Sequence, residues 1–426
     1  MCVFRERRRE RTKTNSVYLT DQFFIPTLQQ ETLEAAHEED IPALSAIFLD
    51  PDVGILNYLK ETSNVFAKDV QAARAKAFDA ITKHIERVGQ NQSSSNAREM
   101  RDLCMQQFRS EQQNTTKAAA LGPIIALFGM QLPFDATEEE LKKVGESLRR
   151  DYERTAKTPT VKSLILKACA ALHANFDVDY KEEDAARDAH PRWLINKALG
   201  ILDDQIGSAD SDDDDDVENE EEVKGASGKE KKKIDMVLIS GALEAIASSL
   251  QSVPDKISTS SRKALSKILL KALEPPSYGQ RSEVPKSAMK VVECVGAILK
   301  KEFIEFAPEI FEKLLELRVC SNKDLTRNAM VSLDAFLITL RDALMDNTLF
   351  EESKRIETMK SMMGKVKELL ETKYDKNSNP RKITVAVRAL GKLAKPAFYM
   401  SSDELAMDLD ELMEQLARFT LEEKFA

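Results

Sequence analysis

Apolar residues recur every three to four positions along most of this chain, which is the spacing of an amphipathic helix. The pattern predicts fifteen helical segments, at residues 52–66, 68–88, 97–108, 116–130, 137–157, 160–176, 182–206, 234–250, 261–273, 285–301, 308–317, 324–344, 354–371, 382–395 and 402–419. The breaks between them are short and hold turn or helix-capping residues, as at 90–96, 135–138 and 158–159. Helices joined by such short connections lie antiparallel, so the pattern predicts an all-α protein.

Residues 68–88 illustrate the expected burial of one helix face. The apolar stripe of this segment consists of Val70, Ala73, Ala77, Ala80 or Ile81, and Val88. The charged residues assigned to the other faces are Lys68, Arg74, Lys83 and Glu86. We therefore expect the stripe to face the core and these four charges to face solvent.

One helical sequence pattern is repeated near the middle of the chain. Residues 286–299 and 326–340 each run from an alanine, Ala288 or Ala329, through apolar positions to a leucine eleven residues later, and the helical segment 308–317 lies between them. The two alanines are 41 residues apart, within the roughly 40–47 residues of HEAT and armadillo repeats. The predicted fold is a HEAT-like α-solenoid of antiparallel helix pairs. Such a fold leaves its turns and one face free for partners.

The length of 426 residues exceeds what one compact core usually fills, which favours several domains or a repeat array. Four regions are expected. Residues 1–44 form a basic, partly disordered segment, and residues 45–206 hold the N-terminal helical repeats. Residues 207–233 are an acidic disordered insertion, and residues 234–426 hold the C-terminal helical repeats.

The net charge of −10 is concentrated in one place, because residues 203–222 hold twelve acidic side chains. Removing these twelve leaves +2, so charge neither demands nor excludes a nucleic-acid partner. The acidic insertion cannot bury enough apolar area to offset its ordering entropy. Its Ser208 and Ser211 resemble substrates of an acidophilic kinase. The basic run at 5–13 fits either a solvated tail or a nuclear-localisation or nucleic-acid-binding arm.

The five cysteines are Cys2, Cys104, Cys169, Cys294 and Cys320. They lie singly rather than in a spaced framework, which favours a reducing compartment. No apolar segment follows the charged N-terminus, which argues against a secretory signal. The most apolar stretch, 118–134, falls short of the ~20 residues of a spanning helix.

The sequence holds no recognised catalytic motif. It contains no Gly-x-Gly-x-x-Gly, no Gly-x-x-x-x-Gly-Lys-Ser/Thr and no Asp-Phe-Gly. Cys169 and His173 have a spacing that two metal ligands on one helix could use, but no second pair completes a site, and core packing is the favoured interpretation. We expect no enzyme activity, metal, cofactor, small-molecule substrate or membrane association.

The candidate binding residues are basic side chains at turns and helix starts, where solenoids place their binding groups. Arg281, Lys286 and Lys290 flank one predicted helix start, where the helix dipole and free N–H groups favour phosphate. Lys117, Lys142, Lys143, Arg149 and Arg150 form other small groups. Each residue alone also fits a solvated surface charge. Together along one face they could hold a nucleic-acid backbone without reading its sequence.

Three stretches of the chain resemble the N-terminal arm found in the DNA-dependent protein kinase catalytic subunit family of PI3-kinase-related kinases. They are residues 271–288, 318–329 and 375–396, the last together with Ser402-Asp-Glu-Leu. Weaker likeness lies at residues 52–56 and 86–90. The resemblance covers most of residues 45–420 but includes no short diagnostic motif. Three features depart from the family: the arginine-rich start, the acidic insertion and the end of the chain at Ala426.

The resemblance implies a nuclear helical-repeat arm that acts in double-strand break repair by non-homologous end joining. The implied partners are double-stranded DNA ends, the Ku heterodimer and other end-joining proteins. Arg281 and Lys117 match basic positions of the family's arm that face DNA. The serine/threonine kinase domain of the family lies far C-terminal, so the chain is expected to be non-catalytic and to be a fragment of a full kinase. The alternative is a stand-alone HEAT-repeat adaptor or transport receptor for a protein partner.

Overall fold

The computed structural model describes residues 45–46, 49–50, 52, 54–88, 94–130, 137–154, 156, 158–175, 190–206, 235–252, 259–274, 283–295, 304–346, 348–372, 379–400 and 402–425. Within these ranges the chain forms fifteen helices and no β-strand. In chain order the helices are α1 Ile55–Thr62, α2 Lys68–Val88, α3 Ser94–Ser110, α4 Asn114–Gly129, α5 Glu138–Arg154, α6 Pro159–Asn175, α7 His190–Ile206, α8 Met236–Ser252, α9 Thr259–Ala272, α10 Glu283–Val295, α11 Ala307–Val319, α12 Lys323–Met345, α13 Glu352–Glu371, α14 Asn379–Tyr399 and α15 Asp403–Phe425. The predicted all-α fold is confirmed, and each predicted segment overlaps one helix.

Several predictions from the sequence fall on residues outside the described ranges. They are the basic run at 5–13, the acidic insertion at 207–233 with Ser208 and Ser211, and the candidate binding residue Arg281.

Capping side chains fix the starts of several helices. Asn322 precedes α12, and its side chain accepts hydrogen bonds from the backbone N–H groups of Asp324 and Leu325, at 3.0 and 3.1 Å. Thr137 and Glu140 form a reciprocal capping box at the start of α5, because each side chain accepts the other residue's backbone N–H. That backbone bond, together with Arg98, holds the pKa of Glu140 below its usual value. The sequence had placed cap residues at this break, and Thr137 fulfils that prediction.

The chain divides into two compact units between Lys181 and Glu182. In the first unit the helices pack as the pairs α1 with α2, α3 with α4, and α5 with α6. The second helix of each pair packs on the second helix of the next, so α2, α4 and α6 form one row, while α1 packs on α3. This is the arrangement of HEAT-like helix pairs.

The second unit repeats the same arrangement with more helices. Its pairs are α7 with α8, α9 with α10, α11 with α12 and α13 with α14, and α15 packs on α13 and α14. The even-numbered helices α8 to α14 form one row, and the odd-numbered helices α7 to α15 form the other. Because every helix contacts near neighbours in the chain, each unit is a stack of helix pairs with a continuous core.

The repeated sequence pattern at residues 286–299 and 326–340 corresponds to α10 and α12, two neighbouring helices of the even row. Ala288 in α10 and Ala329 in α12 are both fully buried, and α11 lies between them in the chain. Small side chains at equivalent positions let consecutive helices approach closely. The 41-residue interval therefore measures one complete helix pair, as the sequence predicted.

Helix α2 confirms the predicted apolar stripe but corrects the assignment of Arg74. Val70, Ala73, Ala77 and Val88 are buried, as expected. Arg74 was expected on a solvated face, but its side chain is fully buried, and that prediction is wrong. The reason is its spacing, since position 74 lies four residues after Val70 and three before Ala77, on the apolar stripe itself.

Candidate functional site

The candidate binding residues that the structure describes lie on three helices: Lys117 on α4, Lys142, Lys143, Arg149 and Arg150 on α5, and Lys286 and Lys290 on α10. Lys117 is half-buried in the first turn of α4. Lys286 and Lys290 lie one turn apart on α10, where Lys286 is half-buried and Lys290 is exposed. The structure thus places Lys286 and Lys290 together and Lys117 on a helix of the other unit.

Lys286 and Lys290 point toward the two helices that flank α10 in the even row. The Lys286 Nζ lies 3.8 Å from an Asp324 carboxylate oxygen on α12, and the Lys290 Nζ lies 3.8 Å from a Glu244 carboxylate oxygen on α8. Both contacts are long, and one group of each pair is exposed, so each contact contributes little to stability. Their main effect is electrostatic, because each lysine charge faces a carboxylate.

Serine hydroxyls add further contacts between α10 and the same two neighbouring helices, α8 and α12. The Oγ atoms of Ser240 and Ser287 lie 2.6 Å apart, and Ser287 also donates to Glu244 at 3.4 Å. One helix further on, Ser332 donates to a Glu293 oxygen at 2.5 Å.

We call this set the polar strip; its members are Ser240, Glu244, Lys286, Ser287, Lys290, Glu293, Asp324 and Ser332. Two lysines and three carboxylates give it a formal charge of −1. A phosphate that approached Lys286 or Lys290 would therefore meet a compensated surface rather than a basic one.

Other basic residues near helix starts hold the preceding helix instead of facing solvent. Arg355 in the first turn of α13 donates to the Leu344 carbonyl at the end of α12, at 3.2 Å. Lys382 in the first turn of α14 donates to the carbonyls of Leu370 and Thr372 at the end of α13, at 2.9 and 3.2 Å. Both side chains are buried. They satisfy carbonyls that a helix C-terminus leaves without an intrahelical partner.

The structure also brings together three arginines that the sequence analysis did not single out as binding residues. Arg318 lies in the last turn of α11, while Arg381 and Arg388 lie on α14. Both of these arginines and Asp334 of α12 are close enough to interact electrostatically with Arg318, and Asp334 contacts Arg388. Only the seven-residue spacing of Arg381 and Arg388 marks them as sharing one helix face in the sequence. The approach of Arg318 depends on how the helices pack, and no local pattern indicates it.

A groove of about 550 Å³ lies between α3 and α5 in the first unit. Its basic lining residues are Arg101, Arg109 and Lys143, and each of them contacts a carboxylate. Arg101 pairs with Asp102 at 2.8 Å, Arg109 with Asp151 at 3.1 Å and Lys143 with Glu139 at 3.4 Å. The groove therefore offers little uncompensated positive charge.

Three cysteines of the described chain, Cys104, Cys169 and Cys294, are buried. Burial raises the pKa of the Cys104 and Cys169 thiols, and burial with the nearby Glu293 raises the pKa of Cys294 to about 11. Such thiols stay protonated at neutral pH and react poorly. Cys169 and His173 are both buried in α6.

Neither a metal site nor a membrane-spanning helix occurs among the described residues. Across those ranges, no group of three or more His, Cys, Asp and Glu side chains is arranged to hold a metal ion. In the same ranges, no helix combines the length and the apolar character needed to cross a bilayer.

A protein-family model described as DNA-PKcs, N-terminal, matches residues 197–424. Among curated proteins, the chain is 21% identical over 383 residues to the DNA-dependent protein kinase catalytic subunit of Dictyostelium discoideum. The aligned region covers 89% of this chain and 8% of that protein. The chain therefore spans a small part of the length of this relative.

The matched solved structures are distant from this chain in sequence, and their TM-scores are low. A designed armadillo repeat protein is 16% identical, with a TM-score of 0.34 over 66% of this chain and 99% of that one. A structure of microtubule polymerases with TOG domain arrays is 14% identical, with a TM-score of 0.28 over 97% of this chain and 98% of that one. A crystal structure of an engineered protein is 15% identical, with a TM-score of 0.36 over 92% and 95% of the two chains.

Proposed function

The chain belongs to the DNA-PKcs N-terminal family, whose model matches more than half of it, and on that premise we propose that it is a non-catalytic helical-repeat scaffold that engages the ends of double-stranded DNA. Its role is in double-strand break repair by non-homologous end joining. The observation that carries this proposal is the family match over residues 197–424, which coincides with a stack of HEAT-like helix pairs. Stacked helix pairs offer long surfaces for macromolecules.

The proposal extends to partners, location and the absence of catalysis in this chain. The matched family is an N-terminal helical region, and we place no catalytic residue in the chain. The proposed partners are double-stranded DNA ends, the Ku heterodimer and other end-joining proteins, and the proposed location is the nucleus. Contacts with DNA go mainly to phosphates, because helix starts and side chains supply the binding groups and no recognition helix enters a groove.

Duplex binding is the first test of this function. We expect the purified chain to bind blunt duplexes of different base sequence with equal affinity, because phosphates carry no sequence information. The logarithm of the binding constant should fall linearly with the logarithm of salt concentration, with a slope of about −0.9 for each phosphate neutralised. Fluorescence anisotropy at several salt concentrations measures both quantities.

A covalently closed dumbbell duplex of the same length and sequence is the control for end recognition. It presents the same phosphates but no free end, so tighter binding to the blunt duplex supports end engagement. Equal affinity for both would contradict the end-binding role. No detectable binding to either duplex at about 50 mM salt would contradict the DNA function and favour a protein adaptor.

The basic residues predicted from sequence can be tested in the same assay. Reversing Arg281 and Lys286 to Glu is expected to weaken binding to all sequences alike and to flatten the salt slope, because each reversal replaces a positive charge by one that repels the phosphate backbone. The matched control is reversal of Lys367 and Arg418, two basic residues of the odd row with carboxylate partners Glu411 and Glu414. If both double variants weaken binding equally, Arg281 and Lys286 have no special place in the site.

A further inference from the structure

Three arginines and one aspartate meet on a surface of the second unit formed by α11, α12 and α14. We call Arg318, Arg381, Arg388 and Asp334 the arginine cluster. The Arg388 Nη1 lies 3.7 Å from an Asp334 carboxylate oxygen. Arg381 lies two helical turns before Arg388 on α14, so both side chains leave the same face of that helix.

Two further contacts connect the arginine cluster to α12 and to the end of α11. The Arg381 Nη1 donates to the Cys320 carbonyl at 3.3 Å, and Cys320 follows Arg318 by two residues. The Arg318 Nη2 lies 3.7 Å from the Met330 sulfur. Met330 lies one turn before Asp334 on α12, so the contact of Arg318 with Met330 is on the helix that carries the carboxylate of the cluster.

The cluster carries an excess of positive charge. Three guanidinium groups and one carboxylate sum to +2, and Asp334 is the only carboxylate in contact with them in the part of the chain that the structure describes. The contact between Arg388 and Asp334 is long, and the other two contacts are to a carbonyl and a thioether. Among the described residues, these contacts involve one guanidinium nitrogen of each arginine, which leaves other N–H donors of the cluster for a further acceptor.

The environment of Arg318 shows that the positive charges act on one another. Partial burial and then the neighbouring Arg388 and Arg381 lower the pKa of the Arg318 guanidinium, whereas Asp334 raises it. An arginine stays protonated under such conditions. The folded chain therefore holds three positive charges close together with one carboxylate among them.

Other basic residues of the second unit differ from this cluster in a way that indicates its role. Lysines of the odd row are matched individually with glutamates, as Lys360 with Glu404 and Lys367 with Glu411. The buried Arg355 and Lys382 cap helix ends. In contrast, about half of the Arg388 side chain is exposed, so an anion in solution can reach the cluster.

We propose that the arginine cluster binds a backbone phosphate of duplex DNA. The inference rests on the proposed DNA-binding function and adds to it a specific phosphate site, outside the polar strip and outside the residues predicted from sequence. Planar guanidinium groups suit this ligand, because their paired N–H donors match two oxygens of one phosphate.

The principal experiment compares two single variants of the full chain, Arg388→Gln and Arg418→Gln. Both arginines are exposed, they lie on the adjacent helices α14 and α15, and each has one carboxylate partner, at 3.7 and 3.5 Å. We expect Arg388→Gln to weaken binding to a blunt duplex about 3- to 10-fold and to reduce the magnitude of the salt slope by about 0.9. Arg418→Gln should leave the slope unchanged. Equal effects of the two variants would overturn the proposal.

The variant Asp334→Asn tests the same site in the opposite direction. It removes the one negative charge of the arginine cluster with little change of side-chain shape, so duplex binding should tighten about 2- to 5-fold. A loss of folding cannot produce tighter binding. Unchanged or weaker binding by a variant whose helical circular dichroism and melting temperature match the parent would overturn the proposal.

A second ligand separates failure of this site from failure of the proposed function. If the parent chain binds no duplex, the DNA function fails, and the cluster is then tested with inorganic pyrophosphate. A rise in the melting temperature of the parent that is absent in Arg388→Gln would support a phosphate site independent of DNA. No rise in the parent, or an equal rise in the variant, would overturn the site as well.

Discussion

Replacing Glu111 by Ala is expected to destabilise the first unit by about 3–5 kcal/mol, because the change leaves the charge of Arg74 buried without its partner. Arg74 donates from Nε and Nη2 to the two Glu111 carboxylate oxygens, at 2.5 and 2.9 Å, and the two side chains are 0% and 1% exposed. Arg74 also donates to the carbonyls of Thr62 and Val65, so one side chain holds α2, the end of α1 and the segment after α3 together. Urea denaturation followed by circular dichroism measures the loss.

The matched control is Glu99→Ala, which removes a carboxylate at the same distance from its partner. Glu99 lies 2.5 Å from Lys60, but the two side chains are 48% and 51% exposed. Solvent screens this pair, so the control should cost no more than about 1 kcal/mol. The double variant Arg74→Met, Glu111→Leu should recover much of the stability, because neither charge then remains buried. Equal losses in Glu111→Ala and Glu99→Ala would show that burial does not set the cost.

The second large effect is expected in the core of the other unit. Replacing Phe336 of α12 by Ala should destabilise that unit by about 3–5 kcal/mol, since the aromatic ring is 1% exposed and its removal leaves a cavity. Stacked repeats interact mainly with their neighbours, so the loss should be greatest around α12. Hydrogen exchange measured by mass spectrometry should show reduced protection in α11, α12 and α14.

Ile338→Ala is the control for this prediction, because Ile338 lies on the same helix but is 39% exposed. Its loss should stay below about 1 kcal/mol, as little apolar area leaves the core. Protection of α2 and α4 in the first unit should not change in either variant. A uniform loss of protection throughout both units would contradict local cooperativity and indicate one global unfolding transition.

Three basic side chains lie on the buried face of their helices, although their residue type favours solvent. Arg74, Arg355 and Lys382 are all buried. Arg74 and Lys382 each lie three and four residues before buried apolar residues, as Lys382 does before Val385 and Ala386, and Arg355 lies four residues before the buried Met359. This spacing was visible in the sequence. The residue type suggested a solvated face, but the helical period placed these side chains on the inward stripe, and long basic chains can reach carbonyl groups there.

The candidate binding residues show a different limit. The sequence placed Lys286 and Lys290 near one helix start, and they do lie one turn apart on α10. It could not indicate that Glu244 and Asp324, on helices before and after α10, would each face one of these lysines. The roles of Lys117, Arg281, Lys286 and Lys290 in binding remain predictions.

The sequence by itself determined the all-helical fold, the approximate position of every described helix and the 41-residue repeat marked by Ala288 and Ala329. These features depend on local periodicity and capping, which act between residues a few positions apart. Only the tertiary structure decided which charges are compensated, since that depends on side chains brought together from distant helices. Arg318 meets Arg381 and Arg388 because α11, α12 and α14 pack against one another. Electrostatic interactions follow distance in space rather than distance along the chain.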